Sequence, residues 1–262
     1  MRVKANGINI SCTVEGPEGA PCIVFSNSLC TTGAMWDEQA AALKSKYRVV
    51  RYDQRGHGES DAPAGRYAFD TLVADAVGLL DALSIRRAHF AGLSMGGATA
   101  LGLAELHPDR VDRIIVCDSP CMSTPVSTKQ WEERIAVAQQ QGMEAAVEPT
   151  ITRWFPPETV AKNPPHLETL RKMIRGTPLA GYVGCCAALA DHDYNAKVAS
   201  VTRPVLFIVG EKDGTAPVAM KDMHQRLEGS RYAELAGAGH ISNMDRPAEF
   251  TRAIQDFIAA AR

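Results

Sequence analysis

Five residues constrain this chain more than any others: Gly92-Leu93-Ser94-Met95-Gly96. The segment before them, Arg87 to Ala91, reads as a short buried strand. Beyond them, Ala98 to Glu105 is rich in Ala and Leu and reads as a helix. A serine between strand and helix in a G-x-S-x-G setting occupies a turn so sharp that the residues two before and two after it must lack side chains. The turn strains the backbone and lifts the serine hydroxyl off the sheet edge, at the positive end of the helix. A glycine-rich turn that only packs closely would carry the same letters, so the motif needs its context.

That context is an alternation of strands and helices. Arg2 to Asn6 and Ile8 to Glu15 read as strands around the hairpin turn Asn6-Gly7. Pro21 to Ser26 and Arg48 to Asp53 read as buried strands, with a helix from about Met35 to Tyr47 between them. Phe69 to Leu83 carries an apolar stripe at helical spacing, and Val111 to Cys117 is another buried strand. The rhythm resumes at Pro204 to Gly210, with a helix near Val218 to Leu227 and a strand from Arg231 to Leu235. A last helix, Ala248 to Ala260, is begun by Asp245-Arg246-Pro247 in N-cap and N1 fashion. Such alternation predicts an α/β fold, a mostly parallel eight-stranded sheet with helices on both faces.

Between Asp118 and Asn195 the alternation breaks. Eight of the chain's 15 prolines fall there (120, 125, 149, 156, 157, 164, 165 and 178), which predicts short helices. Residues 119–195 therefore read as a helical cap inserted in a core of 1–118 and 196–262. With 262 residues, 45% hydrophobic, the chain can bury one large core. A net charge of −2 argues against a nucleic-acid partner. No apolar run approaches membrane-span length, and the first ten residues hold no signal-peptide core. Seven cysteines without paired spacing fit a reduced, metal-free, cytoplasmic protein. Oligomeric state is not written in the sequence.

A serine hydroxyl is a poor nucleophile until an imidazole takes its proton, and a carboxylate must hold that imidazole in one tautomer. Asp213, in Gly210-Glu211-Lys212-Asp213-Gly214, follows the PVLFIV strand. His240, in Gly237-Ala238-Gly239-His240, stands between the last strand and the last helix. Both emerge at the sheet edge where Ser94 emerges, in the order serine, acid, histidine. An Asp-Gly turn and a capping histidine would explain each residue alone; order and placement together favour catalysis. The oxyanion formed on attack needs two N–H donors. Met95 N–H is one, and the loop after the third strand supplies the other, with Ser28 N–H first and Leu29 second.

Other residues invite a role. His57, in Arg55-Gly56-His57-Gly58, reads as structural. Cys185-Cys186 reads as inert packing in the cap, and His192, between two aspartates, as a solvated turn. Trp131 and Arg134 share a helix face and could floor a pocket that takes a carboxylate, or be a packed Trp and a surface Arg.

Ser94, Asp213 and His240 together resemble the α/β-hydrolase fold. The finer pattern is similar to that of 3-oxoadipate enol-lactonases. It is carried by Phe25-Ser26-Asn27-Ser28-Leu29, Met35-Trp36-Asp37, Arg48 to Asp53 with Arg55-Gly56-His57-Gly58, and Gly92 to Gly97. In the cap it is carried by Arg153-Trp154-Phe155 and Gly181 to Leu189, and near the end by Ala238 to Asn243. One departure is Cys30, where the pattern has glycine. The resemblance implies hydrolysis of an enol-lactone to 3-oxoadipate in aromatic catabolism, without a cofactor. Its anionic substrate needs a pocket cation, Arg134 first, beside Trp131 and Trp154. A broad carboxylesterase or cofactor-free perhydrolase would use the same triad, and a ligand receptor with little turnover could share the fold.

Overall fold

The computed structural model describes residues 1–260. Asn6 and Gly7, both at positive φ, turn β1 (Arg2–Ala5) back on β2 (Ile8–Glu15) as an antiparallel hairpin. The later strands are β3 (Cys22–Ser26), β4 (Arg48–Tyr52), β5 (Ala88–Leu93), β6 (Val111–Cys117), β7 (Val205–Gly210) and β8 (Arg231–Leu235). They form one eight-stranded sheet in the order β1-β2-β4-β3-β5-β6-β7-β8. The β1–β2 and β2–β4 pairs are antiparallel and the remainder parallel. Every residue of β3, β5 and β7 is buried, as continuous apolar runs covered on both faces require.

One face carries α1 (Asp37–Leu43) against α11 (Pro247–Ala259), and the other carries α2 (Phe69–Ala82) against α3 (Met95–Leu106). Trp36, fully buried, lies 4.8 Å from the Phe25 ring and 5.8 Å from the Phe250 ring, so it joins α1, the sheet and α11. The helix expected from Met35 to Tyr47 is shorter. A 3-10 turn over Gly33–Trp36 precedes α1, and the chain leaves the helix at Lys44 to return to the sheet. At the far end Pro247 opens α11 as expected, while Asp245 closes the short α10 (Ser242–Asp245) and does not cap α11. Its carboxylate takes the Gly239 N–H at 2.8 Å instead.

Between β6 and β7 lie α4 (Pro125–Gln141), α5 (Val147–Trp154), α6 (Pro157–Lys162), α7 (Pro165–Gly176) and α8 (Leu179–Asp191). Pro125, Pro157 and Pro165 each occupy a first helical position, where the missing N–H costs nothing. An isolated antiparallel bridge, Met122 to Asp193, ties the two ends of this layer together. The helix α9 (Ala216–Arg226) follows β7. The layer also meets the core through bare backbone. A Cβ on Gly181 would stand 2.1 Å from Gly56 O, and one on Gly56 would stand 2.5 Å from Gly181 Cα.

Candidate active site

Ser94 follows β5 with φ 56° and ψ −114°, outside the regions open to ordinary residues. A Cβ on Gly92 would lie 1.9 Å from Gly96 O, and one on Gly96 would lie 2.3 Å from Ser26 O. Neither position tolerates a side chain. The strained turn is tied at both ends, by Ser94 N–H to Cys117 O (2.8 Å) and by Ala98 N–H to Ser94 O (3.0 Å). The hydroxyl is left at the head of α3, on a cavity of about 430 Å³.

Asp213 and His240 line the same cavity. Asp213 Oδ2 lies 2.8 Å from His240 Nδ1. A carboxylate oxygen accepts, so Nδ1 carries the proton and Nε2 is left as the basic nitrogen. The cap holds this histidine twice. His240 N–H donates to Trp154 O at 2.6 Å, and the Trp154 ring stacks on the imidazole with centroids 6.0 Å apart. Trp154 therefore borders the cavity as expected and also braces the base. Ser94 Oγ makes no hydrogen bond among the described residues, so the serine–histidine contact is open here. Such contacts tighten when a substrate is bound.

Met95 N–H, the first expected oxyanion donor, opens α3 directly after Ser94. Ser28 N–H, the first choice for the second donor, already donates to Met35 Sδ at 3.3 Å. Ser28 O, on the following peptide, accepts from Asn27 Nδ2 (2.9 Å), Thr31 Oγ1 (2.9 Å) and Thr31 N–H (3.2 Å). Those three bonds fix a planar trans peptide whose other end is Leu29 N–H, which has no acceptor among the described residues. The fallback residue is thus the better donor. Cys30 follows at φ 62°, a left-handed conformation that explains why glycine suits this position. His57 holds it there. Its Nε2 accepts Cys30 N–H at 2.9 Å and its Nδ1 lies 3.2 Å from Arg55 O, while burial pushes the imidazole down to about 4.

Trp131 and Arg134 do meet. The guanidinium lies 4.3 Å from the indole centroid, and both line the cavity. Arg153 joins them, a residue the motif reading left in second place. Neither arginine has a carboxylate partner among the described residues. Arg153 is exposed, and it lines this cavity and an adjoining one of about 260 Å³. Loss of hydration, and then the Arg134 charge, push its guanidinium down to about 10. Thr150 and Tyr182 complete this wall.

Cys185 and Cys186 are buried, and burial raises both thiols, which fits packing rather than reactivity. His192 is not the solvated turn its flanking aspartates suggest. Its Nδ1 lies 2.9 Å from Leu189 O and its Nε2 3.4 Å from Pro120 O, so it pins the base of the cap at the cavity wall.

A family model described as alpha/beta hydrolase fold matches residues 21–163. The chain is 38% identical over 260 residues to 3-oxoadipate enol-lactonase 1 of Acinetobacter baylyi, covering 98% of this chain and 96% of that protein. It is 34% identical over 251 residues to 3-oxoadipate enol-lactonase 2 of the same organism, covering 96% and 93%. Among solved structures, the enol-lactonase from Burkholderia xenovorans LB400 superposes with a TM-score of 0.95 at 37% identity, covering 99% of this chain and all of that one. By fold, by site layout and by these full-length likenesses, the chain belongs to the α/β-hydrolase family, beside relatives that are 3-oxoadipate enol-lactonases.

Proposed function

We propose that this protein opens the lactone ring of 3-oxoadipate enol-lactone through an acyl-enzyme on Ser94, giving 3-oxoadipate in aromatic catabolism. The observation that carries the reading is the pair Arg134 and Arg153, cationic and without carboxylate partners among the described residues, on the wall of a cavity that opens on Ser94. Two cations on one wall repel each other, and an anion between them relieves that repulsion. The lactone brings its own carboxylate. The near full-length identity to two enol-lactonases supports the same substrate.

The chemistry follows from the residues. His240 Nε2 takes the Ser94 proton as Oγ attacks the lactone carbonyl. Leu29 and Met95 N–H groups meet the developing oxyanion, each worth on the order of 3 kcal/mol of barrier. Collapse breaks the ring C–O bond while the imidazolium gives its proton to the departing oxygen; the enol so expelled leaves far more readily than an alkoxide and tautomerises to the ketone. Water, losing its proton to His240, then attacks the acyl carbon and releases the carboxylate product from Ser94. Asp213 orients the imidazole and holds the imidazolium each time it forms.

The test is turnover of the enol-lactone beside a simple aryl ester, in the parent and in Ser94→Ala. The parent is expected to turn over both, the lactone with the higher kcat/KM, and the variant to lose nearly all of each. A Ser94→Ala variant with substantial lactone turnover would exclude the covalent route. A parent that prefers the aryl ester would favour a broad carboxylesterase.

A further inference from the structure

Asp118, the residue directly after β6, is a buried carboxylate that the steps above leave unused. Its backbone stands at φ 47°, in the left-handed region. The side chain reaches two ways: Oδ1 accepts Gly210 N–H at 2.8 Å, and Ser242 Oγ donates to Oδ2. Gly210 closes β7 three residues before Asp213, and Ser242 opens α10 two residues after His240. The acid and the base of the reaction thus hang from loops whose roots meet on one side chain. Asp118 also borders the cavity that holds them.

We infer that Asp118 is a positioning residue, clasping the root of the Asp213 loop to the root of the His240 loop and so setting the distance and angle at which acid and base meet. The inference rests on the reading of Ser94, Asp213 and His240 as the reacting set. Burial raises the Asp118 carboxyl well above the usual carboxylate range, and the Asp213 charge adds to this against the hydrogen bonds from Ser242 and Gly210. The titratable groups around it are Asp213 after β7, Tyr232 on β8 and the adjacent Cys117. No cation bonds to it among the described residues. The clasp is the pair of hydrogen bonds that the side chain accepts, one from each loop root.

An amide can keep both arms, because the Ser242 hydroxyl can turn to accept instead of donate. Asparagine accepts through Oδ1, donates through Nδ2 and tolerates the left-handed backbone. Asp118→Gly removes the clasp without straining that backbone, and Ser242→Ala cuts one arm of it. The experiment measures kcat, KM and the acid limb of the pH profile on an aryl ester, with the His240 Nδ1–H resonance followed by NMR. Ser94→Ala on the same ester checks the reacting set separately, and the resonance reads the Asp213–His240 contact whatever the substrate.

Asp118→Gly is expected to lower kcat by about ten- to a hundredfold with KM changed less than about threefold, and to shift or broaden the resonance. Asp118→Asn is expected to recover kcat to within about threefold of the parent, with the acid limb and the resonance in place. Ser242→Ala is expected to fall between them. Parental kcat and resonance in Asp118→Gly, or in Ser242→Ala should the glycine variant not fold, would overturn the clasp. So would an Asp118→Asn variant as slow as the glycine one.

Discussion

Ser94 sits where few residues can, and the turn at φ 56° is held by its surroundings at a cost on the order of 1–3 kcal/mol. The same economy of geometry appears across the cavity at His57. Its imidazole must stay neutral to accept Cys30 N–H, and that bond steadies the loop carrying Leu29. Burial holds the folded-state value near 4, below the ordinary 6.5. The unfolded chain therefore binds this proton first. Stability is full above about 6.5 and is lost as pH falls toward about 4, by on the order of 3 kcal/mol for this group. His57→Gln keeps an acceptor for Cys30 N–H but does not titrate. Urea unfolding between pH 7 and pH 4.5 should show a shallower loss of stability in the variant than in the parent. His166 and His192 shift the same way and remain in both proteins, so equal slopes would mean that His57 is not the neutral acceptor described here.

At the scale of elements, the cap acts on the site through α5 and α8. The α5 helix delivers Trp154 to His240 and Arg153 to the cavity, and α8 rests on the loop after β4 where Gly181 meets Gly56. Helix propensity alone would make Gly181→Ala stabilising by about 1 kcal/mol. The contact reverses that sign, because the new Cβ would fall 2.1 Å from a backbone oxygen that has no room to yield. We expect Gly181→Ala to destabilise the protein by roughly 1–3 kcal/mol. It should also lower kcat/KM on the lactone, since α8 and the cavity wall move together. A thermal melt and a kinetic assay check both, and an unchanged or raised melting temperature would contradict the close contact.

At the scale of the whole molecule, the parts of the site that follow the strand rhythm were legible in the sequence. Ser94, Asp213 and His240 each leave a strand at the same edge, so order and spacing were enough to find them. Trp131 and Arg134 were legible as a pair because helical spacing puts them on one face. Leu29 was not separable from Ser28, since the choice turns on where Ser28 N–H goes, and its acceptor is the Met35 sulfur. Asp118 left no local signal either. Its partners lie 92 and 124 residues away, and only the folded sheet brings them to it. Arg153 was legible only as part of the Arg153-Trp154-Phe155 pattern, and the fold set it beside Arg134 on the cavity wall. These two arginines carry the central claim, that the cavity is built for an anionic lactone. The direct measurement is kcat/KM for the free-acid enol-lactone against its methyl ester, in the parent and in Arg134→Ala and Arg153→Ala. Losing a charge-assisted contact costs about 1.5–3 kcal/mol, roughly ten- to a hundredfold. The parent should prefer the acid by about that factor, with either substitution erasing most of the preference while the ester rate holds. Equal rates on acid and ester in the parent, or equal losses on both in the variants, would contradict the account.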